Sequence, residues 1–186
     1  MALRTAQQYL DSLRDDRVVY YAGERVGDVV AHPHFGLRAH ANAGQFGKGP
    51  SEDAATLALR TVKLPDGEPI HRWHVPPKDR DELLKFIAME EDMPGDAHGA
   101  MTAGLSGLRI LSRKMDAKHG TSYTPRIDAY ADWYARKDMH GAFAMTDAKG
   151  DRSKPPSGQA DPDLWLRVVE RRKDGIVIRG AKTSVT

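Results

Sequence analysis

The spacing of hydrophobic and polar residues predicts a chain that starts with helices and finishes with strands. Near the N-terminus, Thr5 and Gln8 form a capping-box pattern ahead of a short apolar stripe, which predicts a helix. Apolar runs on either side of Gly23 predict a small hairpin. Two further short helices are expected over residues 37–43 and 53–59.

Three longer helices are predicted in the middle of the chain, one capped by Asp79, one over residues 100–118 and one over residues 125–137. The second contains two glycines, each of which weakens a helix by roughly 1 kcal/mol relative to alanine, so we expect them to mark close backbone packing. The apolar faces are predicted to consist of Leu83, Leu84, Ile87 and Ala88 in the first helix, Leu105, Leu108, Leu111 and Met115 in the second, and Ile127, Tyr130, Trp133 and Tyr134, facing inward, in the third.

The pattern after residue 138 is that of β-structure. Residues 141–146 are predicted to form a buried strand, and residues 147–163 a long loop. Residues 164–169 and 176–178 alternate around an Asp-Gly turn, which predicts a hairpin.

One strand and one hairpin are too little for an independent β-domain. The predicted fold class is therefore mainly α with a β segment (α+β). The expected domains are a mostly helical one over residues 1–137 and the incomplete beginning of a β-domain over residues 138–186.

Composition excludes several classes of function. The 28 Lys and Arg residues nearly balance the 26 Asp and Glu residues, which argues against a nucleic-acid binder. The chain has no cysteine, so it supplies no disulfide, thiolate metal ligand or cysteine nucleophile. Because no apolar run approaches the roughly 18 residues of a membrane span and no signal-peptide pattern is present, we expect a cytoplasmic location.

The stretch from Gly141 to Arg152, at the end of the predicted strand and the start of the long loop, contains the most suggestive polar groups. Thr146, Lys149 and Arg152 place a hydroxyl, an ammonium and a guanidinium close together, and such groups suit a diphosphate or the edge of a flavin. A solvated surface loop with a local Asp–Lys pair explains the same residues, and residue types alone favour that simpler interpretation.

Two histidine pairs suggest a metal site, His32 with His34 and His71 with His74. Neither has the helical i, i+4 spacing that places two imidazoles on one face. Neutral loop histidines are the expected outcome, and we assign no metal.

Several motifs, in the same order, resemble the 4-hydroxyphenylacetate 3-hydroxylase family, which also contains the 4-hydroxybutyryl-CoA dehydratases. The resemblance spans almost the whole chain. The segments that carry it are residues 5–14, 23–26, 31–33, 144–157 (AMTDAKGDRSKPPS), 161–172 (DPDLWLRVVERR) and 174–182 (DGIVIRGAK).

The resemblance implies an acyl-CoA-dehydrogenase-like fold with an N-terminal helical domain, a middle β-domain against the flavin and a C-terminal helical bundle, of which this chain stops early in the middle domain. It implies FAD as cofactor, a small-molecule substrate that is a phenol or a CoA ester, and a homo-oligomer for a full-length form. In the hydroxylases, reduced FAD comes from a separate flavin reductase. The implied flavin contacts are Met145, Thr146, Asp147, Ala148, Lys149, Gly150, Asp151 and Arg152 in one loop, and Ser184, Val185 and Thr186 in a second.

The sequence departs from the dehydratase pattern at two positions. Dehydratases carry two cysteines that help to hold an iron–sulfur cluster, whereas this chain has Gly95 and Gly99 where they align. No iron–sulfur cluster is therefore expected.

It also departs from the hydroxylase pattern. An arginine, a tyrosine and a histidine of the hydroxylases align with Ala100, Gly104 and Phe143. His140 lies nearby but is displaced, so we assign no catalytic residue.

The resulting expectation is the N-terminal portion of an FAD-dependent monooxygenase that hydroxylates an aromatic ring with reduced flavin and oxygen. Two alternatives remain open: a protein like the 4-hydroxybutyryl-CoA dehydratase/vinylacetyl-CoA isomerases that lacks the iron–sulfur ligands, and a fragment without catalysis of its own.

Overall fold

A computed structural model describes residues 3–47, 53–92, 99–142 and 144–183. The chain divides into two compact units, Met1–Gly141 and Ala142–Thr186. No helix in the described part of the chain combines the length and apolar character needed to cross a membrane.

The first unit, within its described residues, consists of six α-helices and two antiparallel hairpins. The helices are α1 (Ala6–Ser12), α2 (Phe35–Ala43), α3 (Ala54–Arg60), α4 (Arg80–Asp92), α5 (Gly99–His119) and α6 (Thr124–Arg136). The hairpins are formed by β1 (Val19–Tyr21) with β2 (Glu24–Val26), and by β3 (Thr61–Lys63) with β4 (Pro69–His71).

Local capping chemistry explains where several of these helices begin. The Thr5 hydroxyl accepts from the Gln8 N–H at 3.2 Å, and the Gln8 side chain accepts from the Thr5 N–H at 2.9 Å. This confirms the predicted capping box. Asp79 accepts from the Glu82 N–H at 2.9 Å and Asp53 accepts from the Thr56 N–H at 3.0 Å, so α4 and α3 begin where the sequence predicted.

The core of the first unit gathers side chains from its N-terminal helices, from the turn after β4 and from α4. The Tyr9 and Phe46 rings stack with centroids 4.7 Å apart, and Phe46 meets Trp73 edge to face at 5.9 Å. The buried members of this cluster are Tyr9, Leu10, Val30, Ala39, Ala43, Phe46, Trp73 and Met89.

The predicted apolar face of α4 is not its buried face. Leu83, Leu84 and Ile87 are each nearly half exposed, whereas Met89 is fully buried. The helix is anchored instead through Met89 and the partly buried Phe86, which pack against the core cluster. Periodicity locates an apolar stripe, but the neighbouring elements decide which edge of it is covered.

The inward set predicted for α6 is only partly correct. Tyr134 is buried, but Tyr130 and Trp133 are 44% and 46% exposed. The small residues Ala131 and Ala135 occupy the buried face instead.

Gly104 and Gly107 of α5 do not mark close packing, contrary to expectation. A Cβ atom built at Gly104 or Gly107 would meet no described atom within 4 Å. Close approaches lie elsewhere, as at Gly141, where a Cβ atom would stand 2.5 Å from the Tyr134 hydroxyl oxygen.

The second unit contains the predicted hairpin, formed by β5 (Arg167–Arg172) and β6 (Gly175–Arg179). The prediction of a hairpin is confirmed, although β5 begins three residues later than the apolar pattern indicated. The long loop before it carries one short 3₁₀ turn at Pro156–Gly158.

The buried strand predicted for residues 141–146 is wrong. Residues 144–146 are exposed, and the described chain offers them no strand partner. Pairing there is limited to a single bridge between Asp147 and Lys182 and one hydrogen bond from the Thr183 N–H to the Thr146 carbonyl at 2.9 Å. A strand needs such a partner along its whole length, and the apolar run alone does not provide one.

Candidate functional site

The first half of the segment 145–152, in the second unit, is held by contacts from distant residues. The Trp165 indole N–H donates to the Ala148 carbonyl at 2.7 Å. The Lys182 ammonium lies 2.6 Å from a carboxylate oxygen of Asp147. These contacts fix the backbone of the segment although it belongs to no helix or strand.

Gln159 closes the other end of this segment. Its side-chain oxygen accepts from the Asp151 N–H, and its amide donates to the Asp151 carbonyl, both at 2.9 Å. A Cβ atom at Gly150 would stand 2.3 Å from the Gln159 oxygen and 2.6 Å from a methyl carbon of Leu164. Only glycine fits this approach without displacing a neighbour.

Both carboxylates of the segment already have cationic partners. Asp147 pairs with Lys182, and Asp151 lies 3.2 Å from the Lys154 ammonium. Hydrogen bonds from Ser153, together with Lys154, lower the pKa of Asp151. Nearby ammonium groups therefore compensate both negative charges of the segment.

The cationic side chains of the segment, in contrast, have no such ion-pair partners among the described residues. Within the described residues, Lys149 and Arg152 are exposed and form no hydrogen bond or ion pair, and the Thr146 hydroxyl likewise makes no hydrogen bond. Met145 beside them is 68% exposed. A backbone of fixed shape that presents two unpaired cations fits an anionic group such as a diphosphate. Ser184, Val185 and Thr186, which the resemblance implies as the second contact, lie outside the described residues.

An apolar groove adjoins this segment. Its volume is about 370 Å³, and Trp165, whose indole N–H holds Ala148, forms part of its wall. Pro156, Pro162 and Leu166 supply further apolar surface. Trp165 thus connects the segment to a concave surface large enough for part of a small molecule.

The first unit contains a buried cluster of polar side chains that sequence reasoning missed. One carboxylate oxygen of Asp138 lies 2.7 Å from His71 Nδ1 and 3.0 Å from His74 Nε2, and all three side chains are under 5% exposed. Although burial opposes ionisation, the contacts with His71 and His74 hold the pKa of Asp138 well below its usual range.

Trp73 completes this cluster. Its indole N–H donates to His74 Nε2 at 3.0 Å, and its ring stacks on His71 with centroids 3.9 Å apart. Burial lowers the pKa of His74, and the nearby Asp138 only partly offsets this effect. His74 is therefore neutral at neutral pH.

The backbone of Asp138 is also unusual. Its φ of 49° lies in the left-handed region, at the position after a helix where glycine or asparagine is common. The Arg4 N–H donates to the second carboxylate oxygen at 3.0 Å, and the Arg4 guanidinium donates to the Asp138 carbonyl at 3.1 Å. Asp138 thus ties the end of α6 to β4, to the turn after it and to the N-terminal segment.

His140 packs against the aromatic core of the first unit. Its ring meets Tyr9 edge-on at 5.4 Å, and its Nε2 atom is buried without a hydrogen-bond partner among the described residues. Burial, with Arg4 and Arg38 nearby, lowers its pKa. These contacts account for His140 as a core residue.

Of the other positions that the sequence singled out, some lie within the described residues and some do not. Gly95 and Phe143 lie outside the described residues, and Gly99 is the first residue of α5. His32 and His34 face each other with ring centroids 5.7 Å apart, next to Tyr21. In the described part of the chain, no group of three or more His, Asp or Glu side chains is arranged to hold a metal ion.

Comparisons with known proteins agree on one family. The family model described as 4-hydroxyphenylacetate 3-hydroxylase, N terminal, matches residues 5–186. The chain is 34% identical over 192 residues to the 4-hydroxybutyryl-CoA dehydratase/vinylacetyl-CoA-Δ-isomerase of Clostridium aminobutyricum, covering 99% of this chain and 39% of that protein. It is 29% identical to the oxygenase component of a Rhodococcus 4-nitrophenol 2-monooxygenase, covering 98% of this chain and 35% of that protein.

Solved structures give the same result for the fold. An oxygen-tolerant archaeal 4-hydroxybutyryl-CoA dehydratase from N. maritimus matches with a TM-score of 0.79 and 28% identity over 97% of this chain and 37% of its own. The oxygenase component of a 4-hydroxyphenylacetate 3-monooxygenase, complexed with FAD and 4-hydroxyphenylacetate, matches with a TM-score of 0.72 and 22% identity over 96% of this chain and 38% of its own. The chain spans less than two fifths of the length of these proteins.

These structural relatives have an acyl-CoA-dehydrogenase-like fold, which confirms the predicted fold class. The chain belongs to the 4-hydroxyphenylacetate 3-hydroxylase family and corresponds to its N-terminal portion.

Proposed function

We propose that this chain is the N-terminal, flavin-contacting portion of an FAD-dependent monooxygenase that hydroxylates a phenol with reduced flavin and oxygen. The observation that carries the proposal is the segment 145–152, whose carboxylates are paired within the unit while Lys149 and Arg152 have no partner among its described residues. Two relatives also support the proposal: one is named an FADH₂-dependent monooxygenase, and the structure of the other contains FAD and 4-hydroxyphenylacetate, a phenol.

The residues of this segment fit the cofactor by charge and by shape. Lys149 and Arg152 would hold the diphosphate through charge-assisted hydrogen bonds, and the Thr146 hydroxyl would add a neutral one. Ala148, fixed by Trp165, would keep the backbone in place while the ligand binds. When bound, FAD supplies the redox chemistry that connects oxygen to the substrate. We include Met145, Asp147, Gly150, Asp151 and the second stretch, Ser184, Val185 and Thr186, in the proposed contact surface.

The proposal includes a partner. Relatives named as oxygenase components imply a separate reductase that delivers reduced flavin. We propose the same arrangement here, together with a homo-oligomer for a full-length form and a cytoplasmic location.

A second candidate function is a dehydratase or isomerase of hydroxyacyl-CoA esters. The observation that favours it is the 34% identity to the Clostridium enzyme, higher than the 29% shared with the Rhodococcus oxygenase component. Against it, the chain contains no cysteine and so supplies no thiolate to an iron–sulfur cluster.

Flavin binding tests the proposed contact surface. We expect Lys149→Ala with Arg152→Ala to weaken FAD binding by at least tenfold, since tenfold corresponds to about 1.4 kcal/mol, no more than one charge-assisted hydrogen bond. The matched control, Arg171→Ala with Lys173→Ala, removes the same charge from exposed positions near the β5–β6 turn of the same unit. FAD fluorescence titration measures both, and equal affinity in the two double variants would contradict the proposal.

Turnover separates the two candidate reactions. With reduced FAD supplied by a flavin reductase, the monooxygenase proposal expects oxygen uptake that depends on an added phenol. Turnover of a hydroxyacyl- or enoyl-CoA without such uptake would select the dehydratase instead.

A further inference from the structure

Two arginines on one face of α5 approach the same carboxylate on α6. Arg109 and Arg113 are four residues apart, which makes them neighbours on the surface of the helix. The Nε atom of Arg109 lies 3.2 Å from one oxygen of Asp128, and Nη2 of Arg113 lies 3.3 Å from the other. Two cationic groups thus share one anionic group, and the three side chains together carry one positive charge in excess.

Asp128 uses only a small part of the hydrogen-bonding capacity of these two arginines. Each guanidinium has five N–H donors. The Nε–H of Arg109 is buried and has no hydrogen-bond partner among the described residues, in spite of its short distance to Asp128. Arg113 donates to Asp128 at 3.3 and 3.4 Å, which is longer than the roughly 2.7–2.9 Å of a strong charge-assisted hydrogen bond. The two guanidinium groups therefore have donors available for a second anionic acceptor.

An open groove of about 460 Å³ lies against these arginines. Ile110 and Pro76 give it an apolar wall, and Ser106 contributes a hydroxyl-bearing side chain from the same face of α5. Ile110 is 58% exposed, so this apolar surface is accessible to a ligand. The volume lies within the range of small-molecule sites, and the groove combines a cationic end with an apolar side.

We propose that this groove binds a small organic monocarboxylate, with its carboxylate between Arg109 and Arg113 and its apolar body against Ile110 and Pro76. A carboxylate matches the planar fork of a guanidinium, and it accepts from two arginines at once. All the residues involved belong to the first unit, so the inference goes beyond the proposed flavin contact and does not depend on it.

Charge and shape favour a monocarboxylate over phosphate. A single negative charge matches the one positive charge that Asp128 leaves uncompensated, whereas a dianion would exceed it and would be repelled by that carboxylate. Phosphate also has no apolar part that could cover Ile110.

Benzoate is the probe, and the arginine Nε–H signals of the ¹⁵N-labelled full chain follow its binding. We expect saturable shifts at Arg109 and Arg113 in the millimolar range, with each signal assigned by its loss in the corresponding Arg→Gln variant. Benzamide has the same shape without the charge and should give no shift at these signals. Inorganic phosphate should bind about tenfold more weakly than benzoate, or less tightly still.

Arg109→Gln with Arg113→Gln should weaken benzoate binding by about tenfold or more, measured from ligand-observed NMR titrations. The matched control is Lys114→Gln with Arg126→Gln, which removes the same charge from exposed positions on α5 and α6 that do not line the groove. Asp128→Asn should instead tighten binding by about threefold, because it removes the competing carboxylate.

The proposal is overturned if benzoate gives no saturable shift at either arginine, or if benzamide or phosphate binds as tightly as benzoate. It is also overturned if the control pair weakens binding as much as the arginine pair, or if Asp128→Asn weakens it. The benzamide and phosphate comparisons use the parent chain, so they remain decisive if the arginine pair variant does not fold.

Discussion

Asp138 is expected to contribute more to the stability of the first unit than any surface acid. Its carboxylate lies within hydrogen-bond distance of His71 Nδ1 and His74 Nε2 and accepts from the Arg4 N–H, and its side chain is only 4% exposed. Removing one partner of a buried charged pair costs about 3–5 kcal/mol, because the remaining polar groups stay buried without partners.

Two substitutions separate the carboxylate from the backbone strain. Asp138→Gly removes the carboxylate but relieves the left-handed φ of 49°, a gain of roughly 1 kcal/mol, so we expect a net loss of about 2–4 kcal/mol in the free energy of unfolding. Asp138→Asn keeps the shape and tolerates this φ, but its amide group confronts donors where the carboxylate accepted. We expect it to lose about 2–3 kcal/mol.

Urea unfolding at pH 7, followed by circular dichroism, measures these losses. The matched control is Asp132→Asn, also on the α6 side of the unit, where the carboxylate is 50% exposed and lies 2.8 Å from Arg136. Such a surface pair is worth about 0–1 kcal/mol. If either Asp138 variant loses no more stability than the control, the cluster does not hold the unit together and the reasoning is wrong.

Three further predictions follow from burial and close contacts. Burial lowers the pKa values of His74 and His140, so the folded state binds fewer protons than the unfolded state near these values. The free energy of unfolding should therefore fall as the pH drops below about 6.5, the ordinary pKa of histidine. Urea unfolding at several pH values measures this fall, and a free energy of unfolding that stays constant from pH 7 to 5 would contradict it. Gly104→Ala should stabilise α5 by up to about 1 kcal/mol, since its Cβ meets no described atom, and a lower melting temperature would show that this space is filled. Gly150→Ala should displace the Gln159 side chain and increase trypsin cleavage after Lys149, whereas cleavage at the parent rate would show that the close approach is not required.

Features set by neighbouring residues were predictable from the sequence. The Thr5–Gln8 capping box, the Asp79 cap and the Asp174-Gly175 turn each depend on contacts within a few residues. Helix and hairpin positions follow from such contacts because they form wherever the local pattern is present.

Features that depend on distant partners were not predictable in this way. The strand expected at residues 141–146 lacks a pairing partner in the described chain, and an apolar run cannot reveal that absence. The outward positions of Tyr130 and Trp133 reflect which neighbours cover α6.

The cluster at Asp138 joins residues 67 and 64 positions apart, so no local spacing announces it. One signal was present in the sequence: an acidic residue directly after a predicted helix end, together with two histidines that flank a tryptophan. The candidate flavin segment, in contrast, was marked by its own residue types and by the family resemblance.

The central claim is that residues 145–152 contact FAD, and amide chemical-shift mapping tests it most directly. A titration of the ¹⁵N-labelled chain with FAD is predicted to give saturable shifts that are largest at Thr146, Lys149 and Arg152, and the Lys149→Ala, Arg152→Ala double variant should lose them. Saturable shifts confined to other parts of the chain, or no shifts at all in the parent, would contradict the account.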